Sequence, residues 1–201
     1  GGAHQNYFNK IDKIIISIFK KEIEKQPLGV IDIGCGDGTF LKHIYNIITS
    51  KTIRKKYIKT HPLILIGTDI NEKARMSSKE TLKDIKSFII PGNISKPSEI
   101  RKSINKKYNL ELENFVNCRT FLDHNRIFEK PKRTINHEIY SSGIFCFKGD
   151  LISSHDLISN FIIHMKSWKP YITKFGLIVI ELHTLTPEIT KNNSGETLAC
   201  A

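Results

Sequence analysis

The stretch Val30-Ile31-Asp32-Ile33-Gly34-Cys35-Gly36-Asp37-Gly38 determines how the rest of the chain is interpreted. Its first half belongs to an apolar run over residues 28–33, interrupted only by Asp32, which is typical of a strand buried on both faces of a sheet. Three glycines follow directly, and residues 39–49 then show helical spacing of apolar side chains. A glycine-rich turn between a buried strand and a helix lets the backbone approach a ligand. We therefore predict a ligand site at this turn.

The same alternation of strands and helices continues along the chain. An amphipathic helix with apolar residues from Ile11 to Ile23 precedes the glycine turn and ends before Pro27. Further strands are predicted at residues 63–69, 87–90, 115–122 and 176–182. The helices between them are predicted at residues 71–83, 95–107 (with Ser95 as its cap) and 157–168. This order predicts an α/β fold with a doubly wound, mostly parallel sheet.

Length and composition predict one domain without a membrane span. The 201 residues, 39% of them apolar, can bury a substantial core. The sequence has neither an apolar run of membrane-spanning length nor a signal peptide, so we expect a cytoplasmic protein. The four cysteines are scattered and read as reduced packing residues. We divide the chain into a helical cover (3–27), a core (28–184) and a tail (185–201).

The net charge of +11 would suit a polyanionic partner, but the lysines are spread along the sequence. Only residues 51–59 form a dense basic run, which is either a solvated loop face or a docking patch. The alternation of predicted helices and strands is interrupted at residues 51–62 and 125–150. We expect both stretches beside the ligand edge of the sheet.

Polar side chains follow the ends of the first three strands. The spacing D-x-G-x-G-x-G from Asp32 to Gly38 differs from the G-x-G-x-x-G of dinucleotide folds, which cradles a pyrophosphate. Asp32 and Asp69 supply acceptors for ammonium and hydroxyl groups, and Asn93 supplies an amide. Two structural explanations stay open: Asp69 could cap the next helix, and Asn93 could be a turn residue.

These residues resemble the class I S-adenosylmethionine-dependent methyltransferase family over residues 4–184. The resemblance implies a Rossmann-like fold with S-adenosylmethionine as cofactor and S-adenosylhomocysteine as product. It places Asp32 near the ammonium group, Asp69 at the ribose hydroxyls and Asn93 near adenine, although the family usually has Asp at this last position. The expected cofactor contacts are Tyr7, Asp32, Gly34, Cys35, Gly36, Gly38, Asp69, Ile70, Asn93, Ile94, Phe121 and Leu122. The family normally adds two antiparallel strands after the fifth, and these C-terminal strands are not readable here.

The fourth strand runs into Phe121-Leu122-Asp123-His124-Asn125-Arg126. This stretch is similar to one in methyltransferase domains of apratoxin-type polyketide synthases. The resemblance implies C-methylation of an acyl group, such as malonyl, on an acyl carrier protein in polyketide-type biosynthesis. Aromatic and basic residues in 125–150 then suit a lid over an acyl-pantetheine tunnel. An ordinary insertion packed on the sheet is the alternative.

Methylation of a carbon next to a carbonyl needs a base and a group that holds the enolate oxygen. His124 is the candidate base, and Asp123 or Glu181 could orient it. His183 lies two residues after Glu181 and therefore on the same strand face. The histidines and carboxylates could alternatively bind a divalent metal or serve only as hydrogen-bonded edge residues. His164 falls beside an apolar helical face and is read as a packing residue.

Three other functions compete with this interpretation. A nucleic-acid methyltransferase that modifies amino groups usually carries a (D/N/S)-P-P-(Y/F/W) turn after the fourth strand, whereas this chain has Leu122-Asp123-His124-Asn125. Nucleic acid is therefore not the expected partner. A free small molecule as substrate and a non-catalytic, cofactor-binding scaffold both stay open.

Overall fold

The computed structural model describes residues 2–135, 138, 145–181, 188 and 191, with side chains from residue 10 onward. Five parallel strands form one sheet and two short antiparallel strands form a separate hairpin. In chain order they are β1 (Gly29–Ile33), β2 (Ile64–Asp69), β3 (Ser87–Pro91), β4 (Phe115–Thr120), β5 (Phe145–Phe147), β6 (Asp150–Ile152) and β7 (Leu177–Ile180). The predicted parallel, doubly wound sheet is confirmed.

The order of strands in the sheet is β3-β2-β1-β4-β7. The chain moves outward from β1 to β2 and β3, and then crosses back to β4 on the other side of β1. Strand order therefore reverses between β1 and β4. Ligands of open α/β sheets bind at such a reversal, outside the carboxyl ends of the strands.

Helices cover both faces of the sheet. They are α1 (Gly2–Phe19), α2 (Thr39–Lys51), α3 (Arg54–Tyr57), α4 (Glu72–Thr81), α5 (Pro97–Tyr108) and α6 (Ser154–Ile172). One apolar core joins α1 and α2 to the sheet through side chains such as Phe19, Leu41 and Val116. The other joins α5 and α6 to the opposite face, with Phe115 and Trp168 fully buried. No helix of the described residues is long and apolar enough to cross a membrane.

Side-chain caps explain where two helices begin. The side chain of Asn71 accepts hydrogen bonds from the first turn of α4, and that of Ser153 does the same for α6. Asn71, and not Asp69, is therefore the cap of α4. The predicted cap Ser95 is wrong, because α5 begins after Lys96 with Pro97 in its first turn.

Residues 51–62 lie at the edge of the sheet opposite the carboxyl ends, so their predicted position beside the ligand edge is wrong. Helix α2 starts at the carboxyl end of β1 and therefore delivers the chain to the other edge. Arg54 is buried there and donates to Gln26 Oε1 and to the carbonyls of Pro27, Leu28, His61 and Pro62, at 3.0 to 3.2 Å. The basic run thus contains one structural arginine among exposed lysines.

The second irregular stretch, residues 125–150, ends in the hairpin of β5 and β6. Lys148 and Gly149 form its turn and both have positive φ, 53° and 91°. Such a two-residue turn matches the twist of paired strands. Phe147 of β5 packs against Phe128, with ring centroids 5.9 Å apart.

Candidate active site

A cleft of about 290 Å³ opens at the carboxyl ends of the central strands. It is bounded by the glycine turn after β1 and by the loops after β2, β3 and β4. The lining residues are Ile33, Gly34, Asp69, Ile70, Gly92, Asn93, Ile94, Ser95, Lys96, Leu122, Asn125, Arg126, Ile127 and Glu129. Six predicted cofactor contacts are among them: Gly34, Asp69, Ile70, Asn93, Ile94 and Leu122.

The glycine turn has its shape because three of its residues have positive φ. The amides of Gly34 and Cys35 both donate to the carbonyl of Thr68, at 2.7 and 2.9 Å, which ties the turn to β2. Gly34 has φ +77°, and a Cβ there would lie 2.7 Å from Leu122 Cδ2. A side chain at this position would therefore strain the backbone and collide with the loop after β4.

Asp69 joins the glycine turn to the loop after β2. Its Oδ2 accepts from the Gly36 amide at 3.1 Å, and its Oδ1 accepts from the Asn71 amide at 2.8 Å. Each carboxylate oxygen has a second lone pair. Half-buried on the cleft, Asp69 can still accept hydrogen bonds from two hydroxyl groups.

Asn93 is a turn residue that also lines the cleft. Its side-chain oxygen accepts from the Ser95 amide at 2.8 Å, so the structural explanation for this residue holds. Ile94 behind it is buried, whereas Ile70 and Ile127 are 74% and 69% exposed. Apolar side chains at these three positions suit a flat aromatic ring.

The structure does not place Asp32 on the cleft. Asp32 shares a strand face with Val30 and points into the layer of α1 and α2, with no exposed surface. Neither carboxylate oxygen has a hydrogen-bond partner among the described residues. Burial, and then the charge of Asp69, raise the pKa of Asp32 well above its ordinary value. The predicted contact with an ammonium group therefore requires the layer over Asp32 to open.

Four further predicted contacts do not line the cleft. Cys35 is buried with Sγ 3.4 Å from Ser78 Oγ, and burial raises the pKa of its thiol to about 12. Gly36 and Gly38 shape the turn, and Gly38 also allows the close approach of Ser78. Phe121 has φ 53° and donates its amide to Ile180. Tyr7 belongs to α1, but its side chain lies outside the described residues.

His124 and Glu181 form a hydrogen-bonded pair beside the cleft. His124 Nδ1 lies 2.6 Å from Glu181 Oε1, and the His124 amide donates to Glu181 Oε2 at 3.2 Å. His124 sits in a 3-10 turn (Asp123–Asn125) directly after β4, and Glu181 follows the neighbouring strand β7. Of the two carboxylates considered for His124, the structure brings Glu181 to it. His183 lies outside the described residues.

Asp123 does not contact the imidazole of His124, contrary to the other prediction. Its carboxylate accepts from Arg119 Nη1 at 3.2 Å and lies 3.0 Å from His164 Nε2. Burial raises the pKa of Asp123, but His164 and Arg119 outweigh it and hold the pKa below its ordinary value. Asp123 therefore serves as the counter-ion of a buried arginine.

Arg119 is a functional candidate that the sequence analysis did not single out. Arg119 is fully buried, with Cζ 4.2 Å over the ring of Trp168. His164 is buried beside it, and burial lowers the pKa of this imidazole. The sequence did contain an indication of this role, because a single charged residue such as Arg119 inside a strand buried on both faces needs a partner of opposite charge.

The described residues contain no group of three His, Cys, Asp or Glu side chains able to hold a metal ion. The metal alternative includes His183, which lies outside them.

The AprA MT2-like domain family matches residues 1–201. The chain belongs to this family. It is a class I S-adenosylmethionine-dependent methyltransferase domain, and the sequence-based assignment is confirmed. None of the curated proteins compared with this methyltransferase domain matches it.

Two solved structures resemble this methyltransferase domain. The plantazolicin methyltransferase BpumL in complex with SAH is 18% identical with a TM-score of 0.43, over 86% of this chain and 44% of that one. The plantazolicin methyltransferase BamL in complex with a triazolic desmethylPZN analog and SAH is 19% identical with a TM-score of 0.33, over 56% and 33%. This chain thus spans less than half the length of either.

Proposed function

We propose that this domain methylates the carbon next to a carbonyl in a malonyl-type acyl group carried by an acyl carrier protein. The observation that carries the proposal is the pair of His124 and Glu181 beside the cleft. A histidine oriented by a carboxylate at the carboxyl edge of the sheet is the arrangement expected of a general base.

The cleft residues fit S-adenosylmethionine. Asp69 offers acceptors for the ribose hydroxyls, and Ile70 and Ile94 offer apolar surface for adenine. Asp32 would meet the ammonium group only if the layer over its buried carboxyl group opened, because Asp32 does not line the cleft. When bound, the cofactor supplies an electrophilic methyl group on a sulfonium centre.

His124 would remove the proton from the substrate carbon. Because Nδ1–H donates to Glu181, the lone pair of Nε2 is available to accept that proton. The electrons of the broken C–H bond then form the enolate, and the cofactor, when bound, would supply the methyl group to its carbon. The carboxylate 2.6 Å from Nδ1 stabilises the imidazolium that results. Asn125 lines the cleft and can donate to the enolate oxygen.

The hairpin of β5 and β6 supports an acyl-carrier partner. A cleft of about 430 Å³ lies between it and the preceding loop, lined by Phe128, Lys130, Phe147, Lys148, Asp150, Leu151, Ile152 and Asp156. Aromatic rings suit an extended pantetheine arm, and lysines suit the acidic surface of a carrier.

Mass spectrometry of malonyl- and methylmalonyl-loaded carrier protein tests the proposal, with and without added divalent iron or manganese. We expect a gain of one methyl group, and a rate about a hundredfold to ten-thousandfold lower for His124→Ala. Glu181→Gln should lower kcat more than it changes KM. His61→Ala, at the opposite edge of the sheet, should retain the parent rate.

Full activity of His124→Ala would remove the proposed base. No mass gain on any loaded carrier would overturn the acyl substrate. Binding of S-adenosylhomocysteine without any methyl transfer would favour the non-catalytic scaffold.

A further inference from the structure

A second buried arginine, Arg126, lies near Arg119, between the loop after β4 and α6. Arg126 is 89% buried as a side chain, since only 11% of it is exposed. Its Nη2 donates to Asn160 Oδ1 at 3.0 Å. The amide of Asn160 in turn donates to the carbonyl of Glu129 at 2.7 Å. Asn160 therefore holds both the arginine and the loop in place.

The buried charges around Arg126 do not balance. Arg119 and Arg126 share one carboxylate, that of Asp123, which lies 4.0 Å from Arg126 Nε. His164 beside them adds no negative charge. Nε and Nη2 of Arg119 and Nε of Arg126 have no hydrogen-bond partner among the described residues. Unsatisfied donors of buried guanidinium groups are costly, because burial removes their hydration.

A small cleft of about 140 Å³ lies beside these groups. Arg126, Asn160, His164 and Ser167 contribute its polar lining. Ser95, Arg126, Ile127 and Glu129 line both this cleft and the cofactor cleft, so the two clefts are adjacent. Glu129 is the acid among the lining residues, and it is exposed to solvent.

We propose that Arg126 binds an oxyanion of the substrate in this small cleft, and that this is how the domain selects a malonyl-type acyl group. The inference rests on the proposed function. A guanidinium group binds a carboxylate or a phosphate through paired hydrogen bonds. Two parts of the acyl-carrier substrate bear such a group: the free carboxylate of the malonyl unit and the phosphate of phosphopantetheine. The adjacency of the two clefts favours the carboxylate, because it is the oxyanion nearest the reacting carbon.

Calorimetry with four ligands, in the presence of S-adenosylhomocysteine, tests the site: malonyl-pantetheine, acetyl-pantetheine, and each with its phosphate. We expect the parent to bind the malonyl forms roughly ten- to a hundredfold more tightly than the acetyl forms, the worth of a charged hydrogen bond. Arg126→Met should abolish that preference without weakening the acetyl forms, and Arg126→Lys should retain part of it. Arg101→Met, the control, removes a surface arginine paired with Glu111 and should retain the preference for the malonyl forms.

The melting temperature of each variant shows whether it is folded. If Arg126→Met is unfolded, Asn160→Ala replaces it, and we expect a smaller loss of the same preference. If the parent instead prefers the phosphorylated ligands and Arg126→Met abolishes that preference, the result would support the oxyanion site but assign it to the phosphate and not to the malonyl carboxylate. Malonyl preference unchanged in every variant, with no phosphate preference, would overturn the inference.

Free malonate and inorganic phosphate separate this inference from the proposed function. Binding of either anion to the parent but not to Arg126→Met would support the site even if no carrier is methylated. Methylation of malonyl carrier by the parent, with an unchanged malonyl preference in Arg126→Met, would leave the proposed function intact and remove the anion site.

Discussion

Asp69 combines two tasks in the cleft at the carboxyl ends of the strands. It holds the Gly36 amide of the glycine turn and the Asn71 amide of the next loop, while its remaining lone pairs face the cleft. A carboxylate fixed by two backbone amides is preorganised, so it loses little freedom when a ligand binds. Asn71, and not Asp69, caps the N-terminus of α4.

Replacing Asp69 by Ala should weaken binding of S-adenosylhomocysteine by roughly ten- to a hundredfold, because it removes acceptors for the ribose and frees the glycine turn. Calorimetric titration measures the change. Asp84→Ala, at an exposed position, is the matched control and should bind as the parent does. Equal affinities of the two variants would contradict the role given to Asp69.

At the scale of elements, the glycine turn depends on close packing between β1, β2 and α4. Ser78 of α4 donates to the Gly36 carbonyl at 2.7 Å, and Gly67 of β2 leaves room for Cys35, whose Sγ a Cβ would meet at 2.8 Å. The turn is thereby held on a rigid base. The opposite edge is held by Arg54 of α3, whose guanidinium group joins the segments that lead into β1 and β2.

Arg54→Ala should lower the free energy of unfolding by about 3 kcal/mol, because it leaves several buried acceptors without a donor. Urea denaturation measures this change. Lys55→Ala, at the exposed neighbour in the same short helix, should change stability by less than about 0.5 kcal/mol. A small effect of Arg54→Ala would mean that water replaces the guanidinium group.

At the scale of the whole molecule, stability should depend on pH through Asp32. Its pKa is raised by burial, so the folded state keeps this proton at pH values where the unfolded chain has already lost it. The free energy of unfolding contributed by Asp32 therefore falls as pH rises from the ordinary value of 3.8 towards the pKa of the folded state.

Asp32→Asn should remove this dependence. The stability of the variant minus that of the parent should increase as pH rises above 3.8, and should level off above the folded-state pKa. Thermal unfolding over a series of pH values gives this difference. Asp84→Asn serves as the exposed control. A difference that stays constant with pH would show that Asp32 is ionised in the fold.

The sequence by itself determined the fold class and the place of the cleft at the carboxyl ends of the strands. Both follow from local features: a buried strand, a glycine turn and an acid at the next strand end recur within short stretches. Parallel strands then bring their carboxyl ends to one edge. Six predicted cofactor contacts line the cleft for this reason.

Only the tertiary structure decided which charges meet. His124 and Glu181 are 57 residues apart, and Arg119 and His164 are 45 apart, so no local spacing specifies either contact. Asp32 and Asp69 look alike in sequence, yet one lies under a helical layer and the other on the cleft. Pairing and burial depend on how helices cover the sheet, and the free energy of a charge depends on that environment.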